Sequence, residues 1–333
     1  MAPMIPCPSI VLGQIQKMST DDKDILTVCA NCGKEGASNI CNKCKVTTYC
    51  NAVCKKVHKK KHKKECEEHV RLADEKHNEE LRRAAEKHDL ELFKQPPPEY
   101  GDCPICLLLL PTIDTGRRYM SCCGKVVCSG CFYAPVFDHL GNEVDEKNCP
   151  FCRAPTPTSN KTNIKRVEKR IEVGDAEAIH CMGCFYRDGE CGLPRDYGKA
   201  LELWHRAGEL GFAGSYCSIG YAHDYGKGVE RDPMKAMYYY ELAAKGGSVR
   251  TRHNLGIEEE DAGNTDRAVK HYMIAVESGL SKSLKCIQQL YTDGEATKED
   301  YTKALQLYQT YLGEIKSVQR DKAAAAHEDY RYY

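Results

Sequence analysis

Residues 29–66 read CANCGKEGASNICNKCKVTTYCNAVCKKVHKKKHKKEC and contain seven cysteines and two histidines. The seven cysteines and His62 form a set of eight with paired spacing. A second set of eight cysteines lies between residues 103 and 152, so the two sets contain fifteen of the 21 cysteines in the chain. Two cysteines separated by two residues can both place sulfur about 2.3 Å from one ion, and a tetrahedral structural zinc takes two such pairs. The spacing therefore predicts four zinc ions, two in each module.

Metal is expected to hold both modules together. A scaffold of about forty residues gains only about 3–5 kcal/mol from its core, whereas zinc binding in finger-sized peptides is worth about 10–16 kcal/mol.

The alternative to zinc sites is a disulfide framework. Residues 1–28 lack a charged segment followed by a long apolar run, and no run approaches 18 apolar residues, so we expect neither secretion nor a membrane span. Reduced thiols in the cytoplasm or nucleus favour zinc over disulfides.

Composition points to several small modules rather than one large core. The chain has 333 residues, 29% of them charged, and no net charge. Residues 55–64, KKVHKKKHKK, contain seven lysines and could form a nuclear signal or a nucleic-acid patch. They lie between Cys54 and Cys66, where lysines can face solvent and offset the charge of zinc-bound thiolates. We therefore expect protein partners rather than nucleic acid.

The segment after the first module is predicted to be a spacer. Residues 67–95 are rich in Glu, Lys, Arg, Ala and Leu and contain no Gly or Pro. Their thin apolar stripe at spacings of three and four predicts a long, solvated helix and is too weak for a coiled coil. Three prolines at 96–98 end the helix, and residues 96–100 form a short linker.

The spacing C-x2-C-x8-C-x2-C-x5-C-x3-C-x7-H-x3-C in residues 29–66 resembles the MYND zinc finger. In that family the two sites interleave, which implies the following ligand sets. One ion would bind Cys29, Cys32, Cys50 and Cys54, and the other would bind Cys41, Cys44, His62 and Cys66. His62 and Cys66 are four residues apart, so one helical turn puts both on the same face. His58 is the competing ligand.

This chain lacks the residues with which MYND fingers typically bind their peptide ligand. MYND fingers typically bind short proline-containing peptides through a glutamine directly after the sixth ligand and a tryptophan four residues later. This sequence has Lys55 and Lys59 at those positions. The resemblance therefore implies a protein-interaction finger and leaves its ligand open.

The segments CPIC (103–106), CCGKVVCSGC (122–131) and CPFCR (149–153) resemble a RING domain over residues 101–155. The usual histidine ligand would fall on Lys125 if Cys123 were the third ligand, and a protonated lysine does not bind zinc. We therefore assign an all-cysteine pattern, with His139 as an alternative to one of the adjacent pair. One ion would bind Cys103, Cys106, Cys128 and Cys131, and the other would bind Cys122, Cys123, Cys149 and Cys152.

The RING resemblance also implies a partner enzyme and a mechanism. RING ubiquitin ligases have no catalytic nucleophile; they bind a ubiquitin-conjugating enzyme and position its thioester-linked ubiquitin for attack. Ile105 would pack on the conjugating enzyme, and Arg153 would contact that enzyme and ubiquitin. The simpler alternatives are that Ile105 packs over the metal and that Arg153 is an exposed charge. Weaker candidates for the same groove are Pro150, Phe132, Val136 and Phe137.

The second half of the chain has an internal period. Lys-Ala or Arg-Ala recurs with gaps of 36, 32 and 36 residues. The alanines are Ala200, Ala236, Ala268 and Ala304. Glycines at 183, 220 and 256 form a second ladder. Small residues at the repeat positions are expected to let paired helices approach closely, and the glycines are expected to supply turn conformations. Together with the segment GKGVERD at 226–232, the period resembles about four Sel-1-like repeats over residues 176–312, and the third repeat has lost most of its turn at 262–265.

This resemblance implies an all-α solenoid of helix pairs over residues 160–333. The inner face of such a solenoid usually binds another protein. Cys181 and Cys184 repeat the metal spacing, but only Cys191 lies near them in sequence. We interpret these cysteines as helix core.

The sequence thus predicts a multi-domain protein: a flexible N-terminus (1–28), a MYND finger (29–66), a linker helix (67–95), a proline linker (96–100), a RING-like module (101–155) and a solenoid (160–333). The leading functional hypothesis is a ubiquitin ligase whose RING-like module recruits the conjugating enzyme and whose repeats and finger select the substrate. The alternative is a non-catalytic scaffold or regulatory adaptor. A metabolic enzyme is the third hypothesis, and no phosphate loop, hydrolase elbow or open metal triad in the sequence supports it.

Overall fold

A computed structural model describes residues 28–134, 136–137, 143–144 and 148–333. The predicted N-terminal segment 1–28 lies outside the described residues apart from Val28. The chain divides into two compact units, one ending at Leu90 and one running from Glu91 to Tyr333. Among the described residues, no helix combines the length and the apolar character that a membrane crossing requires.

Helices dominate the described residues, and three short antiparallel hairpins accompany them. The helices are α1 (Ala52–Leu92), α2 (Ser129–Tyr133), α3 (Asn160–Glu172), α4 (Ala176–Asp188), α5 (Tyr197–Glu209), α6 (Ala213–Tyr225), α7 (Pro233–Lys245), α8 (Val249–Asp261), α9 (Thr265–Glu277), α10 (Ser281–Thr292), α11 (Lys298–Ile315) and α12 (Val318–Ala326). The hairpins are β1 (Asn39–Ile40) with β2 (Thr48–Tyr49), β3 (Arg117–Met120) with β4 (Lys125–Cys128), and β5 (Val136–Phe137) with β6 (Glu143–Val144).

The first unit packs a short hairpin and the start of a long helix around a cysteine-rich core. The β1–β2 hairpin pairs Ile40 with Thr48, and α1 begins just after it, where the Asn51 side chain accepts a hydrogen bond from the Cys54 amide at 2.9 Å. The core is small and consists mainly of ligand-type side chains. Its buried members are Cys29, Ala37, Cys41, Cys44, Tyr49 and Cys66. So little apolar area cannot hold the module together without help from a metal.

Helix α1 is longer than the predicted spacer. It begins inside the finger at Ala52 and continues to Leu92 without interruption, because no Gly or Pro breaks the segment. Ion pairs one turn apart support the exposed part, for example Arg71 with Glu75 at 2.7 Å and Arg82 with Glu86 at 2.6 Å. Each such exposed pair contributes about 0.2–0.5 kcal/mol. The helix ends before the three prolines, as the sequence predicts.

The second unit begins with the RING-like module. Its β3–β4 hairpin leads directly into the short helix α2. Two short 3-10 helices, Asp114–Gly116 and Glu328–Tyr330, contact each other beside the hairpin. The core again contains more sulfur than hydrocarbon. Its buried members are Cys103, Leu110, Met120, Val127, Cys128, Cys131 and Cys149.

The remainder is a solenoid of helix pairs, α4–α5, α6–α7, α8–α9 and α10–α11, as the repeat period predicts. Aspartates cap the helix starts: the carboxylates of Asp175, Asp196 and Asp232 each accept a hydrogen bond from the amide three residues on. In the third pair, α8 ends at Asp261 and α9 starts at Thr265, so the shortened turn is spanned by Gly263 with φ +77°. The predicted fold class, cysteine-rich modules followed by an all-α solenoid, is confirmed.

The glycine ladder has the close-approach role predicted for the small residues of the repeat, and the turn role predicted for its glycines is wrong. Gly183, Gly220 and Gly256 lie inside α4, α6 and α8 rather than in turns. A Cβ at Gly256 would overlap the ring of buried Tyr272, reaching its Cδ1 at 2.7 Å. These glycines therefore allow the two helices of each pair to approach closely.

We expect Gly256→Ala to destabilise the solenoid by about 1–3 kcal/mol, because the added methyl would displace the Tyr272 ring from a packed core. Gly313→Ala is the matched control: Gly313 is also helical, and nothing lies within 4 Å of its missing Cβ. There the same change should stabilise the helix by up to about 1 kcal/mol. Thermal unfolding followed by circular dichroism measures both, and equal effects at the two sites would contradict the close-approach argument.

Candidate metal centres and docking surfaces

The first predicted ligand set, Cys29, Cys32, Cys50 and Cys54, converges in the finger. All four sulfurs lie within 4.8 Å of one another. Cys50 Sγ is 3.6 Å from Cys32 Sγ and 3.5 Å from Cys54 Sγ. A tetrahedron with zinc–sulfur bonds of about 2.3 Å has sulfur–sulfur edges of about 3.8 Å. The geometry of this set fits one zinc ion.

The second set, Cys41, Cys44, His62 and Cys66, forms an equally tight cluster. Cys41 Sγ lies 3.7 Å from Cys66 Sγ, and Cys44 Sγ lies 3.5 Å from His62 Nε2. The expected sulfur–nitrogen edge is shorter, about 3.6 Å, because zinc–nitrogen bonds are about 2.0–2.1 Å. All four side chains are buried, so this centre is closed, as in a structural site.

The structure separates the two candidate histidines. His62 points Nε2 into the cluster, and its Nδ1 lies 3.4 Å from Thr47 Oγ1, a contact that orients the ring. His58 lies one turn earlier, where its Nδ1 is 3.3 Å from the Tyr49 hydroxyl. The structure therefore brings His62 into the cluster and places His58 against Tyr49.

In the RING-like module, Cys103, Cys106, Cys128 and Cys131 form the third cluster. Cys106 Sγ lies 3.8 Å from Cys128 Sγ. Backbone amides support the sulfurs: Cys128 N donates to Cys103 Sγ, and Cys131 N donates to Cys128 Sγ, both at 3.4 Å. Such donors stabilise thiolates and are the usual support of a bound metal.

The adjacent pair Cys122 and Cys123 joins Cys149 and Cys152 in the fourth cluster. Cys122 Sγ lies 3.4 Å from Cys152 Sγ, and Cys123 Sγ lies 3.9 Å from Cys149 Sγ. Two neighbouring residues can therefore both face one ion here. The alternative ligand, His139, lies outside the described residues.

Four of the five C-x2-C segments in the two cysteine-rich modules close by the same turn, and the exception is Cys128–Cys131. The residue after the second cysteine is left-handed and donates its amide to the carbonyl of the first cysteine, at 2.9–3.0 Å. These residues are Gly33, Lys45, Leu107 and Arg153, with φ of +73°, +56°, +58° and +64°. A left-handed conformation is unfavourable for residues other than glycine, so three of the turns hold local strain that metal binding would offset.

Within a cluster, some thiols have a lowered pKa and others a raised pKa. This is expected because one ionised thiolate makes ionisation of its neighbours less favourable. Burial alone would raise the pKa of Cys44, but hydrogen bonds from the Thr47 and Val46 backbone lower it to about 5. Burial and the nearby Cys41 raise the pKa of Cys66 to about 11. A divalent cation would remove this division, because it stabilises every thiolate in the set. Thiolate and imidazole donors in tetrahedral sets of four suit zinc.

The twenty cysteines that the structure describes are free thiols, so the disulfide alternative is not supported among them. In the solenoid, burial raises the pKa of Cys181 to about 12, and Cys184 Sγ lies 3.4 Å from His180 Nε2. These thiols pack between helices, in accord with the helix-core interpretation.

The predicted partner-binding residues differ in exposure. Ile105 is 40% exposed, Arg153 is exposed and Pro150 is half-buried. Phe132 is half-buried beneath the Arg118 guanidinium, 4.3 Å from its ring centroid. The side chains of the other two weaker candidates, Val136 and Phe137, lie outside what the structure describes.

Sequence reasoning missed Arg320, which joins the RING-like module to the end of the solenoid. Its side chain is fully buried. The guanidinium donates to the carbonyls of Leu109 and Ile315, at 2.8 and 2.7 Å, and approaches Cys106 Sγ at 3.8 Å. No local pattern marks this residue, because its acceptors lie more than two hundred positions away or in the preceding turn.

The last residues of the chain also pack on the RING-like module. Ser129 Oγ, at the start of α2, donates to the Tyr330 carbonyl at 3.2 Å, and Thr115 Oγ1 donates to the Arg331 carbonyl at 2.6 Å. The Tyr330 ring lies 5.6 Å from the ring of Tyr133. Helix α2 is therefore partly covered from the C-terminal side.

A cavity of about 590 Å³ lies between the RING-like module and the inner helices of the solenoid. Equivalent positions of successive inner helices line it, namely His180 of α4, Cys217 of α6 and His253 of α8. Arg117 and Asp114 close the opposite side. The cavity thus combines residues of the RING-like module with residues of three successive helix pairs.

Comparison with known proteins agrees with two of the three modules. The MYND finger family model matches residues 29–66, and the Sel1 repeat model matches residues 176–212, 213–248 and 289–310. Neither match includes the RING-like residues 101–155. The unmatched stretch between 248 and 289 contains the pair α8–α9, whose connecting turn is the shortened one.

Curated relatives cover only parts of the chain. The ERAD-associated E3 ubiquitin-protein ligase component HRD3B of Arabidopsis thaliana is 29% identical over 138 residues, which are 41% of this chain and 21% of the relative. The E3 ubiquitin-protein ligase GW2 of Oryza sativa subsp. indica is 30% identical over 69 residues, 21% of this chain and 15% of the relative. The chain thus spans about a fifth or less of the length of these relatives.

Among solved structures, the Sel1 repeat protein from Oxalobacter formigenes is 26% identical, with a TM-score of 0.38, and the match covers 50% of this chain and 65% of that one. The family matches, the four side-chain clusters and the helix pairs together show what the chain contains: a MYND finger in the first unit and Sel1 repeats in the solenoid of the second.

Proposed function

We propose that the protein is a RING-type ubiquitin ligase or a subunit of one. The RING-like module recruits a ubiquitin-conjugating enzyme, and the Sel1 repeats and MYND finger recruit the substrate. Support comes from two relatives that match parts of the chain, one an E3 ubiquitin-protein ligase component and one an E3 ubiquitin-protein ligase. The observation that carries the proposal is the pair of four-cysteine clusters in residues 103–152, ordered as in a RING domain.

The clusters present the two proposed contact residues on rigid turns. Ile105 lies inside the turn that Leu107 closes, and Arg153 itself closes the turn that begins at Cys149. Zinc, when bound, supplies structural rigidity and takes no part in the reaction. Rigid turns hold an exposed apolar group and a cation in fixed positions, which is what docking of a partner enzyme requires.

The reaction itself would need no acid, base or nucleophile from this chain. A substrate lysine amine attacks the thioester carbonyl on the conjugating enzyme; an amide bond forms, the carbon–sulfur bond breaks and the enzyme's thiol leaves. The ligase contributes by holding the thioester and the substrate in a reactive orientation. We therefore assign no catalytic residue to this protein.

We expect Ile105→Ala and Arg153→Ala each to slow ubiquitin discharge at least about tenfold, because each removes a contact on which positioning depends. The assay mixes the purified chain with ubiquitin, activating enzyme and a panel of conjugating enzymes charged beforehand. Val173→Ala is the control, since Val173 is 68% exposed and lies in the solenoid.

The proposal fails if no conjugating enzyme in the panel discharges faster with the unmodified chain present. It also fails if the control variant slows discharge as much as the two test variants do, because the effect would then not be specific to the RING-like module.

A non-catalytic adaptor is the second candidate, and one observation favours it. The C-terminal residues cover part of α2, with Tyr330 against Tyr133 and the Gly130 backbone packed on Arg320. If a conjugating enzyme needs that surface, the chain binds partners without promoting discharge. The same assay separates the candidates, since an adaptor leaves the discharge rate unchanged with every enzyme.

Both candidates require reduced thiols, so we propose a cytoplasmic or nuclear location. Microscopy of the tagged full chain tests this, and accumulation in an oxidising compartment would contradict it.

A further inference from the structure

The MYND finger carries a groove of about 800 Å³ that six lysines line. We call it the lysine groove; its lysines are Lys43, Lys55, Lys56, Lys59, Lys60 and Lys63. Its floor contains Cys41, Tyr49 and Ala52, and its single acidic lining residue is Glu67. A concave surface with an apolar floor and a cationic rim is a binding surface rather than an ordinary solvated face.

The lysine groove follows from helical spacing. Five of its lysines lie on α1 at positions 55, 56, 59, 60 and 63, which share one side of a helix. The two other lysines of the basic run 55–64, Lys61 and Lys64, do not line the groove. The basic run is therefore asymmetric: most of its charge faces the β1–β2 hairpin, and part of it faces elsewhere.

One lysine of the groove is already engaged. Lys55 Nζ donates to the Ile40 carbonyl at 2.7 Å and to Asn42 Oδ1 at 3.0 Å, which ties α1 to the hairpin. In the described part of the finger, the remaining five have no carboxylate within ion-pair distance. Their ammonium groups are available to a ligand, and their methylene stems extend the apolar floor.

The metal centre does not neutralise this charge. Zinc with three thiolates and one imidazole carries a formal net charge of −1, and Glu67 adds one more negative charge. The positive charge of the six lysines exceeds these two negative charges together. The sequence-based interpretation, in which these lysines merely offset the thiolates, therefore leaves a clear surplus of positive charge in the groove.

The dimensions suit an extended polypeptide. Successive lysines on one helix row, such as Lys59 and Lys63, are about 6 Å apart along the axis. Alternate side chains of an extended peptide are about 6.6 Å apart on one face. Carboxylates on alternate residues would meet successive ammonium groups. A nucleic-acid backbone would meet the charges too but has no apolar group for the floor beside Tyr49 and Ala52.

We infer that the lysine groove binds an acidic segment of a partner protein, held in an extended conformation with carboxylates at alternate positions. This goes beyond the proposed function, because binding requires neither a ligase nor an adaptor reaction. The two can also fail separately, since peptide binding is measured without ubiquitin and discharge is measured without the peptide.

The test measures fluorescence anisotropy of a dye-labelled eight-residue peptide with glutamate and leucine at alternate positions, added to the full chain with zinc present. The variant Lys59→Glu with Lys63→Glu reverses two groove charges. The variant Lys61→Glu with Lys64→Glu makes the same change in net charge on the same helix, outside the groove. We expect at least about tenfold weaker binding for the first, a change within about twofold for the second, and weaker binding in high salt.

A second pair, Lys59→Gln with Lys63→Gln, guards against misfolding, and the zinc content of every variant must equal that of the unmodified chain. The same peptide with glutamine in place of glutamate should bind at least about tenfold more weakly. Equal losses in the groove and control variants would overturn the inference, as would no binding of the acidic peptide. Tighter, groove-dependent binding of a twelve-nucleotide single strand would overturn it in favour of nucleic acid.

Discussion

Cys44→Ser is expected to unfold the MYND finger while the solenoid stays helical. Cys44 is buried in a cluster of four donors, and serine is a poor zinc ligand at neutral pH. The finger has almost no hydrocarbon core to fall back on. The variant should therefore lose most of the metal-binding free energy, which is about 10–16 kcal/mol in finger-sized peptides.

Limited proteolysis followed by mass spectrometry measures this effect, with rapid cleavage expected within residues 29–66 and intact fragments expected from the repeats. Cys191→Ser is the control, because Cys191 is half-buried and lies outside the four clusters. Unchanged protease resistance of residues 29–66 in the Cys44 variant would show that metal is not what holds the finger together.

Arg320→Met is expected to release the C-terminal helix from the RING-like module. The side chain is fully buried, and the described residues place no carboxylate against it; carbonyl oxygens and the Cys106 sulfur receive its hydrogen bonds. Its nearest source of negative charge is the third cysteine cluster, which with zinc bound carries a formal charge of −2. Removing one partner of a buried charge interaction costs about 3–5 kcal/mol.

For a unit of this size the cost corresponds to a melting temperature lower by about 6–20 °C. Hydrogen exchange should also accelerate over residues 318–333, where α12 and the chain end pack on α2. Lys322→Met is the matched control, since Lys322 is exposed on the same helix. If the two variants melt and exchange alike, Arg320 does not join the module to the solenoid.

The four cysteine-rich clusters were predictable because ligand spacing is a local property with a strict geometric meaning. A two-residue gap between cysteines places both sulfurs on one ion whatever the rest of the chain does. The choice of Cys122 together with Cys123 followed from excluding Lys125 on chemical grounds, and the structure brings both sulfurs to one cluster. Which ligands bind zinc in solution remains a prediction.

The backbone of the metal turns was only partly predictable. Gly33 signals a left-handed turn, since glycine adopts positive φ without strain. Lys45, Leu107 and Arg153 adopt the same conformation with no such signal. The residue type indicates which backbone conformation is easiest to adopt. A strongly bound ion can stabilise a conformation that the residue type does not favour.

Long-range contacts were not predictable from the sequence. Arg320 reads as one more charged residue of a C-terminal helix, and its burial follows from the docking of that helix on the RING-like module. The glycine ladder shows a related limit: its period revealed the repeat, but residue identity alone did not distinguish a turn from a close helix contact. The role of Gly256, which lies inside α8, becomes clear only when the structure places the Tyr272 ring against it.

Zinc analysis of the freshly purified, untagged chain tests the central claim most directly, namely that metal organises the four cysteine-rich clusters into rigid docking surfaces. The account predicts four zinc ions per chain, released in step with the loss of protease resistance when a thiol-specific mercurial is added. Essentially no bound metal in a chain that still resists protease across residues 29–66 and 101–155 would contradict it.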